Sequence, residues 1–97
     1  MAYRINATAS AFEFRGLEMR QSKKTDKTFL VMHFEDSDGH SNDVSCSDSS
    51  LFNDCNSLKK GDICDLPLCF VATSDYSFVN LVAPPVVHGN AYTGIGE

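Results

Sequence analysis

Residues 27–35, KTFLVMHFE, alternate with a period of two, and this pattern constrains the fold more than any other stretch. Leu30, Met32 and Phe34 form one set, all apolar. Lys27, Phe29, Val31, His33 and Glu35 form the other, mostly polar or charged. Successive side chains of a strand point to opposite faces, so the pattern predicts a strand with one face on a core and the other toward water. Phe29 and Val31 are then apolar groups on the outward face.

The rest of the chain has the same texture of short apolar runs bounded by turn residues. A first strand is expected from about Arg4 to Met19, bent or bulged near Gly16. Residues 21–26, QSKKTD, hold no apolar side chain and read as a mobile loop. Asp38-Gly39 suits a type I′ hairpin turn, which needs positive φ at two residues, and a third strand follows from about His40 to Cys46. Ser47 or Asp48 can cap a short helix with Leu51, Phe52 and Cys55 on one side. Lys59-Lys60-Gly61-Asp62 turns into a fourth strand, Ile63 to Val71. Ser74-Asp75 turns into a fifth, Tyr76 to Ala83, ended by Pro84-Pro85.

Ninety-seven residues suit one domain, expected over residues 1–85, with a glycine-containing tail at 86–97 that is either loosely ordered or used for dimer contacts. The predicted class is all-β: a five-stranded Greek-key barrel of the oligonucleotide-binding (OB) type, with one short helix between strands 3 and 4. An SH3-like barrel meets the same pattern. No apolar run approaches a membrane span, and the N-terminus has no apolar core of a secretory signal, so a cytoplasmic protein is expected.

Charge is segregated. Arg4, Arg15, Arg20, Lys23, Lys24 and Lys27 face only Glu13, Glu18 and Asp26 in residues 4–27, whereas residues 35–75 hold nine acidic side chains and two basic ones. The chain carries −5 overall. Such a chain can bind an anion through one edge and keep an acidic side for solubility or a protein partner.

Cys46, Cys55, Cys64 and Cys69 show no C-x-x-C spacing and read as buried, reduced thiols. Asp36-Ser37-Asp38-Gly39-His40 lacks the later acidic ligand of a calcium loop and reads as a hairpin turn. No catalytic motif, cofactor site or metal site is expected, so the chain does not read as an enzyme.

In the fifth strand Val79, Leu81 and Ala83 should look inward with Ser77, while Tyr76, Phe78 and Asn80 look outward. Phe78 is expected to be covered, for instance by a second subunit. A basic arm (Arg15, Arg20, Lys23, Lys24, Lys27) beside outward rings (Phe29, Tyr76) is the pairing that holds single-stranded nucleic acid: cations attract phosphates and rings stack on bases.

Over Arg15 to Pro84 the chain resembles the small single-stranded-DNA-binding proteins of filamentous phages, with similar proteins in conjugative plasmids and other mobile elements. The likeness rests on the bent first strand, on Arg20-Gln21-Ser22-Lys23, on Lys27-Thr28-Phe29 and on Leu81-Val82-Ala83-Pro84. It implies cooperative binding of single-stranded DNA by a two-fold homodimer, in DNA replication or transfer. Phe29 and Tyr76 would stack on bases, and Arg15, Arg20 and Lys23 would hold the backbone. The strand FVNLVA has none of the basic residues that the family carries there, which implies fewer phosphate contacts and a shallower salt dependence. The alternative is an acidic OB-like adaptor that binds protein and not nucleic acid.

Overall fold

The computed structural model describes residues 3–92. In chain order the elements are β1 (Tyr3–Gln21), β2 (Thr28–Glu35), β3 (Ser41–Cys46), a 3-10 turn (Ser49–Leu51) running into α1 (Phe52–Asn56), β4 (Asp62–Ala72), β5 (Ser77–Leu81) and β6 (Val86–Asn90). The strands hydrogen-bond in the order β1-β2-β3-β5-β4, and β4 pairs back onto β1. Five strands thus close a ring-like sheet, and β6 adds to the margin of β4.

One strand makes the ring possible. β1 is 19 residues long and serves two neighbours. Its first half pairs with β4 and its second half with β2, both antiparallel. Two irregularities bend it between these tasks, one between Ala9 and Phe12 and one between Phe14 and Gly16. An extra residue on one strand kinks it and strengthens the local twist. The second break is the bulge expected near Gly16. The first was not foreseen: Ala11 adopts a φ of 58°, and its N–H donates to Asp65 Oδ1 at 3.1 Å.

The inward residues behave as alternation requires. Leu30, Met32 and Phe34 are all buried, together with Phe14, Val44, Cys46, Leu66 and Leu81 from the other strands. Each such side chain contributes about 1.5–3 kcal/mol by leaving water. Phe34 meets Phe14 edge to face at 5.5 Å and Phe12 at 6.3 Å between ring centroids, an arrangement that aromatic quadrupoles favour. Asp48 caps the 3-10 turn by accepting from the Ser50 N–H at 3.0 Å. The short helical segment drives Leu51 and Cys55 into the same core. β3 and β5 close the ring through one parallel register pair, Ser45 with Asn80.

Several expectations need correction. Asp38-Gly39 does not form a type I′ turn. Gly39 has a φ of 85° and Asp38 does not share a positive φ. Asp36 instead organises the turn, its Oδ1 accepting from the N–H groups of Asp38 at 3.0 Å and His40 at 2.9 Å. A side-chain acceptor thereby replaces the second left-handed residue. Residues 86–90 of the tail form β6, paired with Asp62–Asp65 of β4; residues 93–97 lie outside the described residues. Ser77, expected to look inward, is exposed; Phe78 looks outward as alternation requires and is 41% exposed in the single chain. Ser77 sits where β4, β5 and the start of β1 run on past the closed part of the ring, so its inward direction no longer meets a core.

The tail strand is locked by a polar clasp. Asp62 is buried, and its carboxylate accepts from the Lys59 N–H at 2.8 Å and from Asn90 Nδ2 at 2.9 Å. Asn90 Nδ2 also donates to the Lys60 carbonyl at 3.1 Å, and Asn90 Oδ1 accepts from the Tyr92 N–H at 2.8 Å. Tyr92 then covers Gly61, whose φ is +94°.

Candidate nucleic-acid interface

Register places the outward side chains in three rows across the sheet, because directly paired residues point to the same face. The middle row runs Glu18, Val31, Ser45, Asn80, Cys69, Asn6. Two residues along toward the β1–β2 turn lies the row that starts with Arg20 and Phe29. Two residues the other way, Gly16, His33 and Asp43 share one side of the sheet, and Phe78, Val71 and Arg4 share the other.

Phe29 is half-buried and sits directly opposite Arg20 across the β1–β2 pair. Val31, expected to face water, is 3% exposed. It keeps its outward direction, beside Glu18 and Ser45 across the strand pairs and between Phe29 and His33 along β2. The turn beyond Phe29 is closed by Ser22 N–H to the Lys27 carbonyl and Asp26 N–H to the Ser22 carbonyl, both at 2.9 Å. Asp26 takes a φ of 58° to make it. Residues 21–26 thus form a tight hydrogen-bonded turn. Lys23, Lys24 and Lys27 are exposed on it and form no ion pair among the described residues.

The arginines named from sequence are placed differently. Arg15 occupies the bulge, where its guanidinium donates to Glu13 at 2.6 Å and to the Tyr92 hydroxyl at 3.0 Å. Arg20 donates to Glu18. Both cations therefore arrive at the surface already partnered. Pairs this exposed contribute little to stability, so a phosphate can displace the carboxylate, but repulsion from that carboxylate opposes it.

His33 lies between two carboxylates. Its Nδ1 is 2.7 Å from Asp43 and its Nε2 is 3.2 Å from Glu18. A neutral imidazole has one N–H, so only the imidazolium satisfies both contacts. The hydrogen bond with Asp43, and then the one with Glu18, raise the His33 pKa above its ordinary value. Arg20 first, and then His33, hold Glu18 below the usual carboxylate range.

At the far end of the face Tyr76 is 58% exposed. Its ring stacks on Phe78, with centroids 5.7 Å apart and planes 15° from parallel. Thr73 organises the preceding turn, its hydroxyl accepting from the N–H groups of Asp75 at 3.2 Å and Tyr76 at 3.1 Å. Sequence reasoning missed Arg4, which pairs through Val71 to Phe78. Its signal was register: nothing in the run YRINATA tells which aromatic will lie across from it.

Two other clusters bear on the reading. Asp36, Asp38 and His40 gather ligand atoms within 4.8 Å of one another, but the Asp36 carboxylate is already used in the turn, so the hairpin reading accounts for the group. The four cysteines are free and buried. Burial pushes the Cys55 and Cys64 thiols up to about 12. Among the described residues no helix is long and apolar enough to cross a membrane. No family model, characterised protein or solved structure matches the chain.

Proposed function

We propose that the chain is a sequence-independent single-stranded-DNA-binding protein of a phage, plasmid or other mobile element, acting in DNA replication or transfer. The ring is read as an OB-type barrel, because its closed order β1-β2-β3-β5-β4-β1 and the parallel contact of β3 with β5 are those of that fold. The observation that carries the function is the root of the β1–β2 turn. There a half-buried Phe29 lies opposite Arg20, below a turn bearing three lysines without acidic partners among the described residues. Rings hold bases through their faces, and the lysines hold phosphates without reading sequence.

The homodimer implied by the resemblance is proposed to form through Ile5 and Phe70. Ile5 and Phe70 are paired across β1 and β4, and both are exposed, at 57% and 40%. They point away from the face that carries Phe29. A second reading, an adaptor for a protein partner, is favoured by Glu18 and Asp43, which stand on the same face as the rings.

Fluorescence anisotropy with labelled poly-dT at low salt tests the proposal. Binding is expected, and Phe29→Ala weakens it by roughly 1–3 kcal/mol. Replacing Lys23, Lys24 and Lys27 by Ala flattens the salt slope by about 2, at about 0.7 per lost phosphate contact. Absence of binding at tens of micromolar protein refutes it, and a stable, nuclease-insensitive protein partner then supports the adaptor.

A further inference from the structure

The face carries a second ring system that the lysine turn does not explain. Tyr76 and Phe78 stack on each other and remain 58% and 41% exposed. Two apolar rings held parallel in water invite a third planar group on their open side. Their neighbour on the same side, through the Phe78–Val71–Arg4 pairing, is Arg4. Of the three arginines in the chain, Arg15 is held by Glu13 and Arg20 by Glu18. Arg4 is exposed and has no acidic partner among the described residues.

The free guanidinium selects the occupant. An apolar surface of another protein laid over Tyr76 and Phe78 would bury Arg4 beside it without a counter-charge, which is costly. A nucleotide supplies both needs at once: a flat base for the rings and an anionic phosphate for the guanidinium.

We infer that Arg4, Tyr76 and Phe78 form a second nucleotide-binding site, which takes another base of the strand held at Phe29. This rests on the proposed single-strand binding. Strand geometry sets the separation. Phe29 and Phe78 lie two residues to either side of the Val31–Ser45–Asn80 row and two strands apart. That is about 13 Å along the strands and about 10 Å across them. The direct path crosses Ser45 and Asn80, both uncharged, and leaves Glu18 and Asp43 to its sides. A short oligonucleotide therefore reaches only one site, and a longer one engages both.

The experiment is a length series of labelled oligo-dT titrated with wild type, Arg4→Gln, Tyr76→Ala and Phe78→Ala, with the oligomeric state of each followed by sedimentation velocity. Above a threshold length wild type should tighten, and each variant should lose about fivefold to a hundredfold in affinity, the range for loss of one stacked base. Below that length the variants should match wild type, which also shows that they are folded. Variants that equal wild type at every length overturn the second site while leaving binding at Phe29 intact. A Phe78→Ala protein that changes its oligomeric state overturns it too, since the rings are then a subunit contact. Wild type that binds no length refutes the underlying function and the second site with it.

Discussion

Gly61→Ala is the substitution whose consequence the structure specifies most closely. Gly61 has a φ of +94°, and an added Cβ would stand 2.5 Å from Tyr92 Cδ2, 2.7 Å from Cε2 and 3.0 Å from Asn90 Oδ1. Two costs follow. A left-handed backbone carrying a Cβ costs about 1–2 kcal/mol. The Tyr92 ring must also swing away, which breaks its hydroxyl contact with Arg15 and costs about 0.5–1.5 kcal/mol. Alanine returns roughly 0.4–1 kcal/mol by restricting the unfolded chain. The net is a loss of about 2 kcal/mol, or a fall in Tm of ~10 °C for a domain of this size. Urea unfolding of Gly61→Ala, Tyr92→Ala and the double variant separates the terms. On the Tyr92→Ala background the glycine substitution should cost about 1 kcal/mol less, because the backbone strain and the Asn90 contact remain but the ring clash does not. A Gly61→Ala protein within about 0.5 kcal/mol of wild type refutes the backbone argument. An equal cost on both backgrounds refutes the clasp.

The His33 bracket predicts a pH effect. The folded pKa lies above the unfolded one, so its stabilisation is fully present below about pH 6.5 and disappears as pH rises through the folded value. The urea midpoint should fall across that window in wild type and stay flat in His33→Gln; a parallel fall in both sinks the assignment. Ala11→Gly, at a φ of 58°, should raise stability by ~0.5 kcal/mol, strain relief exceeding the entropy of the freer unfolded chain; a lower urea midpoint would contradict this. The buried thiols should be silent toward Ellman's reagent in the native protein at pH 8 and react as a set of four on adding denaturant. One thiol reacting at once in the native state would show that its burial is wrong.

The strands were legible because alternation is local. Leu30, Met32 and Phe34 could be assigned to a core with no knowledge of their neighbours, and the bulge near Gly16 followed from a residue that packs nothing. What the chain hid depends on partners distant in sequence. Val31 is buried on the outward face, where Glu18 and Ser45 are its register neighbours, and nothing in KTFLVMHFE signals that. β6 carries no alternation of its own; it takes its register from β4 and from the Asn90–Asp62 contact, 28 residues apart. The exposure of the inward Ser77 depends on how far β4 and β5 outrun the ring. The lysines of the β1–β2 turn were placed correctly because a turn tip needs only short-range rules. The pairing of Arg15 and Arg20 with carboxylates was equally local, at Glu13 and Glu18 two residues away on the same strand side, and alternation could have revealed it.

Ring closure through Ser45 and Asn80 has a thermodynamic consequence. A contact of one register pair is the shortest stretch of ladder in the ring, so the β2–β3 hairpin is expected to part from β4–β5 there before the longer ladders open. Amides near that seam should exchange fastest among the sheet strands. Phe29 lies on one side of the seam and Phe78 on the other, so a strand that engages both can do so only while the seam is shut. Its binding energy is then also closure energy, growing with ligand concentration as RT ln(1 + [L]/Kd). If the proposed single strand lies across that joint, the ligand itself fastens it.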